Sequence, residues 1–386
     1  MDINAIHFSH ILEASDLDNL NYFLSHTAFV ISHKSERIET LLGVIWYLPV
    51  NSPILVVTNC PESSREDLMR ELRVHLVHHK EIYLIHQKDD GIAQFFEQCG
   101  VYQILGTDGK VVDGKGEGMY IGALCAYQLG YPRWIIYYDA DNFVPSALLE
   151  YTLAMSRLFM PAVSQEPYRE YGTWAAHGRA EREPSSDLHN VRICWSSKPE
   201  LGSENLDTKL SGRCTRVVSP LFSSLLKAWF GMRNYAISSS NAGEQGMSIK
   251  TAIALRFSSG FSIETFQLLD LLFNAFKRKG QPGSVVLQEY QARSPHFHEK
   301  KGDEHIKRMI AQSLGGFFLF EKYLPRSVKR ELKQVYHDLD LELMYPAVYP
   351  PLQDLPLAQE RDFVDQYKLS GDVDSQEMVF ADEEAV

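Results

Sequence analysis

Trp134-Ile135-Ile136-Tyr137-Tyr138-Asp139-Ala140-Asp141-Asn142 is the stretch whose reading decides the fold. The bulky run from Trp134 to Tyr138 reads as a strand buried on both faces, as in a parallel sheet. It leads directly into Asp139-Ala140-Asp141. Alternate residues of extended chain point the same way, so the two carboxylates can share one side. The carboxyl end of a central strand is where open α/β sheets bind ligands. Hard oxygen ligands there suit Mg²⁺ or Mn²⁺, and such an ion commonly also holds a diphosphate. The plainer reading is a cap for the helix expected near Pro145, a place that favours Asp and Asn.

Upstream, residues 27–32, 53–58 and 81–86 read as strands, and 37–47, 65–77 and 90–99 have the apolar spacing of helices. Strands alternating with helices through short loops predict a mostly parallel sheet flanked by helices. Residues 1–25 read as a helical lead-in. Residues 105–118 form a glycine-rich loop before a helix expected over 119–129. Its Lys115 stands beside that helix N-terminus, where amides and a cation can face phosphate; the plainer reading is a solvated loop lysine. No G-x-G-x-x-G follows the first strand and no G-x-x-x-x-G-K-[ST] occurs, so dinucleotide-binding and P-loop readings have no support.

Downstream, a helix is expected over 146–159, then a polar excursion over 164–190 and a strand over 190–195. Arg213 is placed on a Ser-Gly-Arg turn before an apolar helix over 220–230. Residues 240–248 read as a polar turn between apolar helices, 261–276 as a helix and 285–291 as a late strand. A helix is expected to reach about Tyr323, and the proline-bearing last segment is expected to be loosely held.

The 386 residues can bury a large core in two or three lobes. A formal net charge of −12 argues against nucleic acid, whose phosphates need a basic face. No apolar run is long enough for a membrane span, and the N-terminus has no secretory pattern. The cysteines are scattered and number five, which fits a reducing cytoplasm better than a disulfide framework.

Further side chains stand as candidates. His296 and His298 are two apart after a strand, and either could complete a metal site begun by Asp141. Arg213 could fork onto a phosphate or carboxylate. Asn241 and Glu244 are caps or substrate contacts. Glu36, after the first strand, could accept from a ribose or serve as a first-turn helix carboxylate.

The ordered set H-K-S-E (33–36), I-H-Q-K-D (85–89), G-K-G-E-G-M (114–119), D-A-D-N (139–142), S-G-R (211–213), N-A-G-E (241–244), S-S-G-F-S-I-E (258–264) and R-S-P-H-F-H-E (293–299) resembles the mannosyl-3-phosphoglycerate synthases. These are retaining, GDP-mannose-dependent glycosyltransferases of the GT-A type. Three features depart from the family pattern: H-K-S-E stands where K-N-E or R-N-E is usual, and the polar stretch at 164–190 and the long acidic tail are extra.

The resemblance implies a GT-A fold with a C-terminal acceptor-side lobe. Residues 1–160 would bind the nucleotide sugar, 161–325 would bind the acceptor and complete the metal site, and 326–386 would form a helical or extended tail. It implies transfer of mannose from GDP-mannose to the 2-hydroxyl of 3-phosphoglycerate with retention. A divalent ion, Mg²⁺ first with Mn²⁺ and Co²⁺ as alternatives, would sit on Asp141 with His296 or His298, His296 being favoured. Lys34, Glu36, Gln87, Lys115, Asp139 and Ala140 would contact the donor. Gly212, Arg213 and Asn241 would contact the acceptor. Asp139, Asp141 and Glu244 would carry the chemistry. A cytoplasmic enzyme, by default a homodimer, with no membrane or nucleic-acid partner, completes the expectation. The alternatives are a glucosyl-3-phosphoglycerate synthase, a nucleotidyltransferase and a non-catalytic sugar-nucleotide sensor.

Overall fold

The computed structural model describes residues 2–7, 17–142, 144–160, 188–195, 200–201, 212–278, 285–299, 302–357 and 360–370. An eight-stranded sheet organises them. In chain order its strands are β1 (Asp2–His7), β2 (Thr27–His33), β3 (Ile54–Thr58), β4 (Ile82–His86), β5 (Trp134–Asp139), β6 (Leu188–Cys194), β7 (Gln245–Ser248) and β8 (Val285–Gln291). Their order across the sheet is β1-β8-β6-β7-β5-β2-β3-β4. Every pairing is parallel except those of β7, which runs antiparallel to both β5 and β6. The mostly parallel α/β sheet expected from the sequence is present, and strands from both sides of residue 160 share it.

The pleat splits the core. Phe29 and Ile31 of β2 join Ile54, Val56, Ile136 and Tyr138 on one face. Ala28 and Val30 join Leu55, Val57, Ile135 and Tyr137 on the other. With both faces covered, these strands need apolar residues at every position, which is why they read as continuous runs. Each buried Ile, Leu or Val contributes about 1.5–3 kcal/mol relative to exposure. Helices α1 (Leu17–Ser25), α2 (Ile38–Trp46), α3 (Glu62–Leu76) and α6 (Ala147–Phe159) pack on the first face. Helices α4 (Asp90–Gln98), α5 (Lys115–Gln128) and α8 (Ile249–Ala254) pack on the second. A third cluster joins α7 (Arg213–Phe230), α9 (Ser262–Lys277), α10 (Asp303–Phe318) and α11 (Arg326–Asp338).

Four local expectations change. Residues 2–7 are an edge strand paired with β8 rather than part of a helix. The helix expected from Met119 begins at Lys115, because tertiary burial outweighs the low helix propensity of Gly116 and Gly118. The helix expected from Pro220 begins at Arg213, with Pro220 inside it. Finally, Gln-Gly-Met-Ser is strand β7, a segment too short and mixed to show alternation, and it forms by filling the gap between β5 and β6.

The proline-bearing segment is docked, not loose, through residue 370. Tyr349 pairs with Phe257, and Tyr367 and Leu369 exchange backbone hydrogen bonds of 2.9 Å with Leu84 and Ile82 on the outer edge of β4. That pairing covers an edge that would otherwise expose unpaired amides. Of the excursion expected over 164–190, residues 164–187 lie outside the described residues and 188–190 belong to β6; the acidic end at 371–386 also lies outside them.

Candidate functional site

The antiparallel β7 gathers the site. Its first residue, Gln245, lies opposite Tyr137 of β5 and Arg192 of β6. Residues 241–244 therefore arrive at the same edge where β5 ends in Asp139 and β8 leads towards His296. The strand order also reverses there, since β3 and β4 lie beyond β2 while β5 lies on its other side. Such a switch point opens a crevice at the carboxyl ends of the strands.

Two groups of charged side chains meet in the crevice. In the first, Lys115 Nζ stands 2.5 Å from Asp139 Oδ1 and 2.6 Å from Glu264 Oε1. Burial alone would pull the ammonium's pKa down, but the two carboxylates outweigh it and hold the pKa above its ordinary value. Gly243 makes room for this contact: a Cβ there would lie 2.2 Å from Asp139 Oδ2 and 2.9 Å from Lys115 Nζ.

In the second group, His296 Nδ1 lies 3.1 Å from Glu244 Oε1, and His296 Nε2 lies 3.9 Å from Asp141 Oδ1. His296 is 1% exposed and Glu244 is 0% exposed, so Glu244 sits behind the ring and does not reach the crevice surface. Trp195, just past β6, packs on the imidazole with ring centroids 5.1 Å apart. A proton on Nδ1, facing Glu244, leaves the Nε2 lone pair for the side of Asp141. Asn142, not either aspartate, closes the turn before α6, its Oδ1 accepting from Val144 N at 2.9 Å. The capping reading of Asp139 and Asp141 thus loses its ground.

A cleft of about 780 Å³ lies over the ends of β2, β3 and β4, lined among others by Lys34, Asn59, Lys88 and Asp113. The donor candidates here are engaged locally. Lys34 Nζ bonds Asp113 at 3.0 Å across the cleft. Glu36 Oε2 accepts from the amides of Lys34 and Ser35, at 2.6 and 3.2 Å, and closes its own turn. Gln87 is buried and donates to the Val112 carbonyl at 2.5 Å. Ala140 is buried between the two aspartates.

The acceptor candidates hold different partners. Arg213 opens α7 behind Gly212 and bonds Asp303 at the start of α10 at 2.8 Å. Asn241 faces inward, its amide donating to Thr265 at 3.0 Å and Ser313 at 2.9 Å. Of the His296/His298 pair, the structure brings His296 to Asp141; the side chain of His298 lies outside the described residues.

Buried charges that sequence reasoning left aside hold these groups in place. Glu150 accepts from Tyr290 OH, Arg293 N and Ser294 N at 2.7–2.9 Å, fixing the turn that delivers His296. Arg192 donates to the carbonyls of Ser239 and Glu264 at 2.9 and 3.0 Å and to Gln245 Oε1 at 2.7 Å. Burial pushes its pKa down to about 10. Glu289 accepts from the amides of Ser238 and Ser239, and burial pushes its carboxyl above the ordinary range. A lone charge inside an apolar strand, as in Val191-Arg-Ile193, or an apolar helix, as in Leu149-Glu-Tyr151, was the available signal.

A family model described as mannosyl-3-phosphoglycerate synthase matches residues 4–364. The chain belongs to the mannosyl-3-phosphoglycerate synthase family. A curated mannosyl-3-phosphoglycerate synthase of Pyrococcus furiosus is 30% identical over 324 residues, 80% of this chain and 75% of that protein. One of Aeropyrum pernix is 28% identical over 302 residues, 76% of this chain and 72% of that protein. The crystal structure of mannosyl-3-phosphoglycerate synthase from Rubrobacter xylanophilus superposes with a TM-score of 0.51 at 14% identity, covering 91% of this chain and 96% of that one. That likeness concerns the fold, which is the GT-A type expected from the motifs. As a member of the mannosyl-3-phosphoglycerate synthase family, the chain is a glycosyltransferase. Among the described residues, no helix is long and apolar enough to cross a membrane.

Proposed function

We propose that the chain transfers mannose from GDP-mannose to the 2-hydroxyl of 3-phosphoglycerate with retention, giving mannosyl-3-phosphoglycerate and GDP. The observation that carries this reading is the family match across residues 4–364, which spans every charged group of the crevice. The donor would lie over the ends of β2 to β5, within residues 1–160. The acceptor would lie against residues 161–325, with Arg213 on its phosphate beside Gly212 and Asn241 shaping the pocket wall. Residues 326–386 would form a helical or extended tail. The reading places the enzyme in the cytoplasm and takes a homodimer as its default assembly.

The residues fit a divalent ion. Two ligands about 2.1 Å from one ion stand roughly 3–4 Å apart, and Asp141 Oδ1 and His296 Nε2 are separated by 3.9 Å. Among the described residues no group of three such side chains is arranged to hold a metal. Asp141 and His296 would hold the ion, a donor pair that admits Mg²⁺, and the imidazole also suits Mn²⁺ or Co²⁺. When bound, the ion would supply charge neutralisation to the departing diphosphate.

The chain's own groups do the rest. Glu244 holds the His296 ring and fixes which nitrogen carries the proton. Asp139, restrained by Lys115, accepts hydrogen bonds from donor hydroxyls. Preorganised charges in a water-poor crevice stabilise charge where it develops without reorganising at the moment of reaction. With Glu244 fully buried behind His296, the geometry favours front-face displacement, in which the leaving diphosphate takes the proton of the acceptor hydroxyl.

GDP release with Mg²⁺, measured with and without 3-phosphoglycerate, tests the reading. Expected is release that depends on the acceptor and a product whose anomeric configuration matches the donor. Turnover with GDP-glucose or UDP-glucose but not GDP-mannose would replace the donor. Release of pyrophosphate from a supplied nucleoside triphosphate, or binding of the sugar nucleotide without turnover, would overturn the class.

A further inference from the structure

Two buried histidines, His33 and His86, take no part in the chemistry described above. Each ends a strand, β2 or β4, under the β2–β4 cleft, and each reaches residues 58–60 at the end of β3, which lies between them. His33 Nδ1 lies 2.9 Å from Thr58 Oγ1, and its Nε2 lies 3.2 Å from the Glu36 carbonyl oxygen. His86 Nε2 lies 3.0 Å from the Cys60 carbonyl oxygen, and its Nδ1 lies 3.2 Å from Lys88 N.

These partners fix the protons. A carbonyl oxygen can only accept, so Nε2 carries hydrogen in both rings. The Lys88 amide can only donate, so His86 Nδ1 is the bare nitrogen. Thr58 Oγ1 already accepts from Cys60 N at 3.1 Å and has its own hydrogen to give, which a bare His33 Nδ1 receives. Burial lowers the His33 pKa from its ordinary value, against the pull of the Glu36 carboxylate, and so favours the neutral ring. One form, neutral with hydrogen on Nε2, satisfies every partner of both rings.

Backbone bonds follow the same path. Asn59 N donates to the His33 carbonyl and Gln87 N to the Thr58 carbonyl, both at 2.8 Å. The three strand ends thus form one floor. It carries Lys34 and Ser35 after β2, Asn59 and Cys60 after β3, and Lys88 after β4, all of which line the cleft. Without the rings, the Glu36 and Cys60 carbonyls and the Thr58 hydroxyl would lose their partners, and buried polar groups left so are costly. The chain that holds them would shift to find others. A site that must first be ordered binds more weakly than one already in place.

We propose that His33 and His86 are positioning residues for the nucleotide end of the donor: as neutral rings they lock residues 34–36 and 58–60 to the end of β4, so that the cleft meets the nucleotide with its floor already set. This rests on the reading of the β2–β4 cleft as donor-side. Both rings act through the chain they hold, and the exposed Lys34–Asp113 pair above the floor stays open to exchange.

His33→Ala and His86→Ala remove these bonds, whereas His33→Gln and His86→Gln keep an N–H that can reach the carbonyl held by Nε2. All are assayed with the sugar nucleotide that wild type turns over, chosen from GDP-mannose, GDP-glucose and UDP-glucose. A failure of the mannosyl reading then changes the donor and not the test. The alanine variants are expected to raise donor KM about 10–100-fold, with kcat and acceptor KM unchanged, and the glutamine variants to recover most of that loss. Nitrogen-15 spectra of histidine-labelled wild type, assigned by the signal lost in each variant, should show both rings neutral with hydrogen on Nε2 at neutral pH. Should an alanine variant fail to fold, Thr58→Val, which keeps the shape and removes the hydroxyl held by His33, gives the same split between KM and kcat. Donor KM equal to wild type in the folded variants, a rise in acceptor KM instead, or hydrogen on Nδ1 of either ring would overturn the proposal. A wild type inert with every sugar nucleotide would overturn the functional reading and this proposal with it.

Discussion

The two ends of the crevice are built differently. At the Asp141–His296 end, the imidazole and the Glu244 carboxylate behind it are buried, and Glu150 locks the turn that carries the imidazole. At the β2–β4 end, Lys34 and Asp113 pair across an open cleft with 61% and 49% of their side chains exposed. A charge held in a water-poor place acts strongly and tolerates little movement, whereas an exposed pair is screened and easily exchanged. The difference teaches where catalysis is set in advance and where the cleft can adjust to its ligand. On the proposed reading, charge would develop at the buried end, and the exposed end would have only to accommodate a nucleotide.

Substitutions break this contrast at different depths. The largest effect is expected for Asp141→Ala or His296→Ala, each losing at least about 10³-fold in kcat, read as GDP release with the other substrates saturating. Gly243→Ala comes next, since the new Cβ must displace Asp139 and Lys115. A loss of about 10²-fold in kcat is expected from that misplacement, and near-wild-type kcat would show that the Asp139–Lys115 pairing is dispensable. Glu244→Gln should weaken divalent-ion affinity by about 10–100-fold, as loss of a group orienting a metal-bound histidine does, read by titration calorimetry. The smallest effect belongs to the open end. Lys34→Ala should change stability by no more than about 1 kcal/mol in urea unfolding, and a larger loss would erase the distinction between the two ends.

Legibility in the sequence followed the same divide. The strand Trp134–Asp139 and its carboxylates were readable because burial on both faces demands a continuous apolar run, and Asp139 and Asp141 interrupt it where the sheet ends. Lys115 and His296 entered as candidates from their neighbours in sequence, and the structure brings both to those carboxylates. Strand β7 was not readable, since its four residues have no period and its place depends on the gap between β5 and β6. With it went the true setting of Glu244, which reads as a turn residue and is a buried group behind a histidine. Asn241 reads in sequence as a cap or a substrate contact, and its inward partners, Thr265 and Ser313, lie too far along the chain to be seen there. Glu264 belongs to the S-S-G-F-S-I-E motif, yet its partner Lys115 is 149 residues away, a pairing that no local pattern reports.

On the proposed reading, Asp141 and His296, 155 residues apart, would hold one divalent ion together. Titration of Mn²⁺ into wild type, Asp141→Ala and His296→Ala, each with saturating GDP, tests it directly. The account predicts one bound ion per chain in wild type and its loss in both variants. Unchanged Mn²⁺ affinity in His296→Ala would contradict it, leaving the histidine as packing against Trp195 and the ion, if bound, elsewhere.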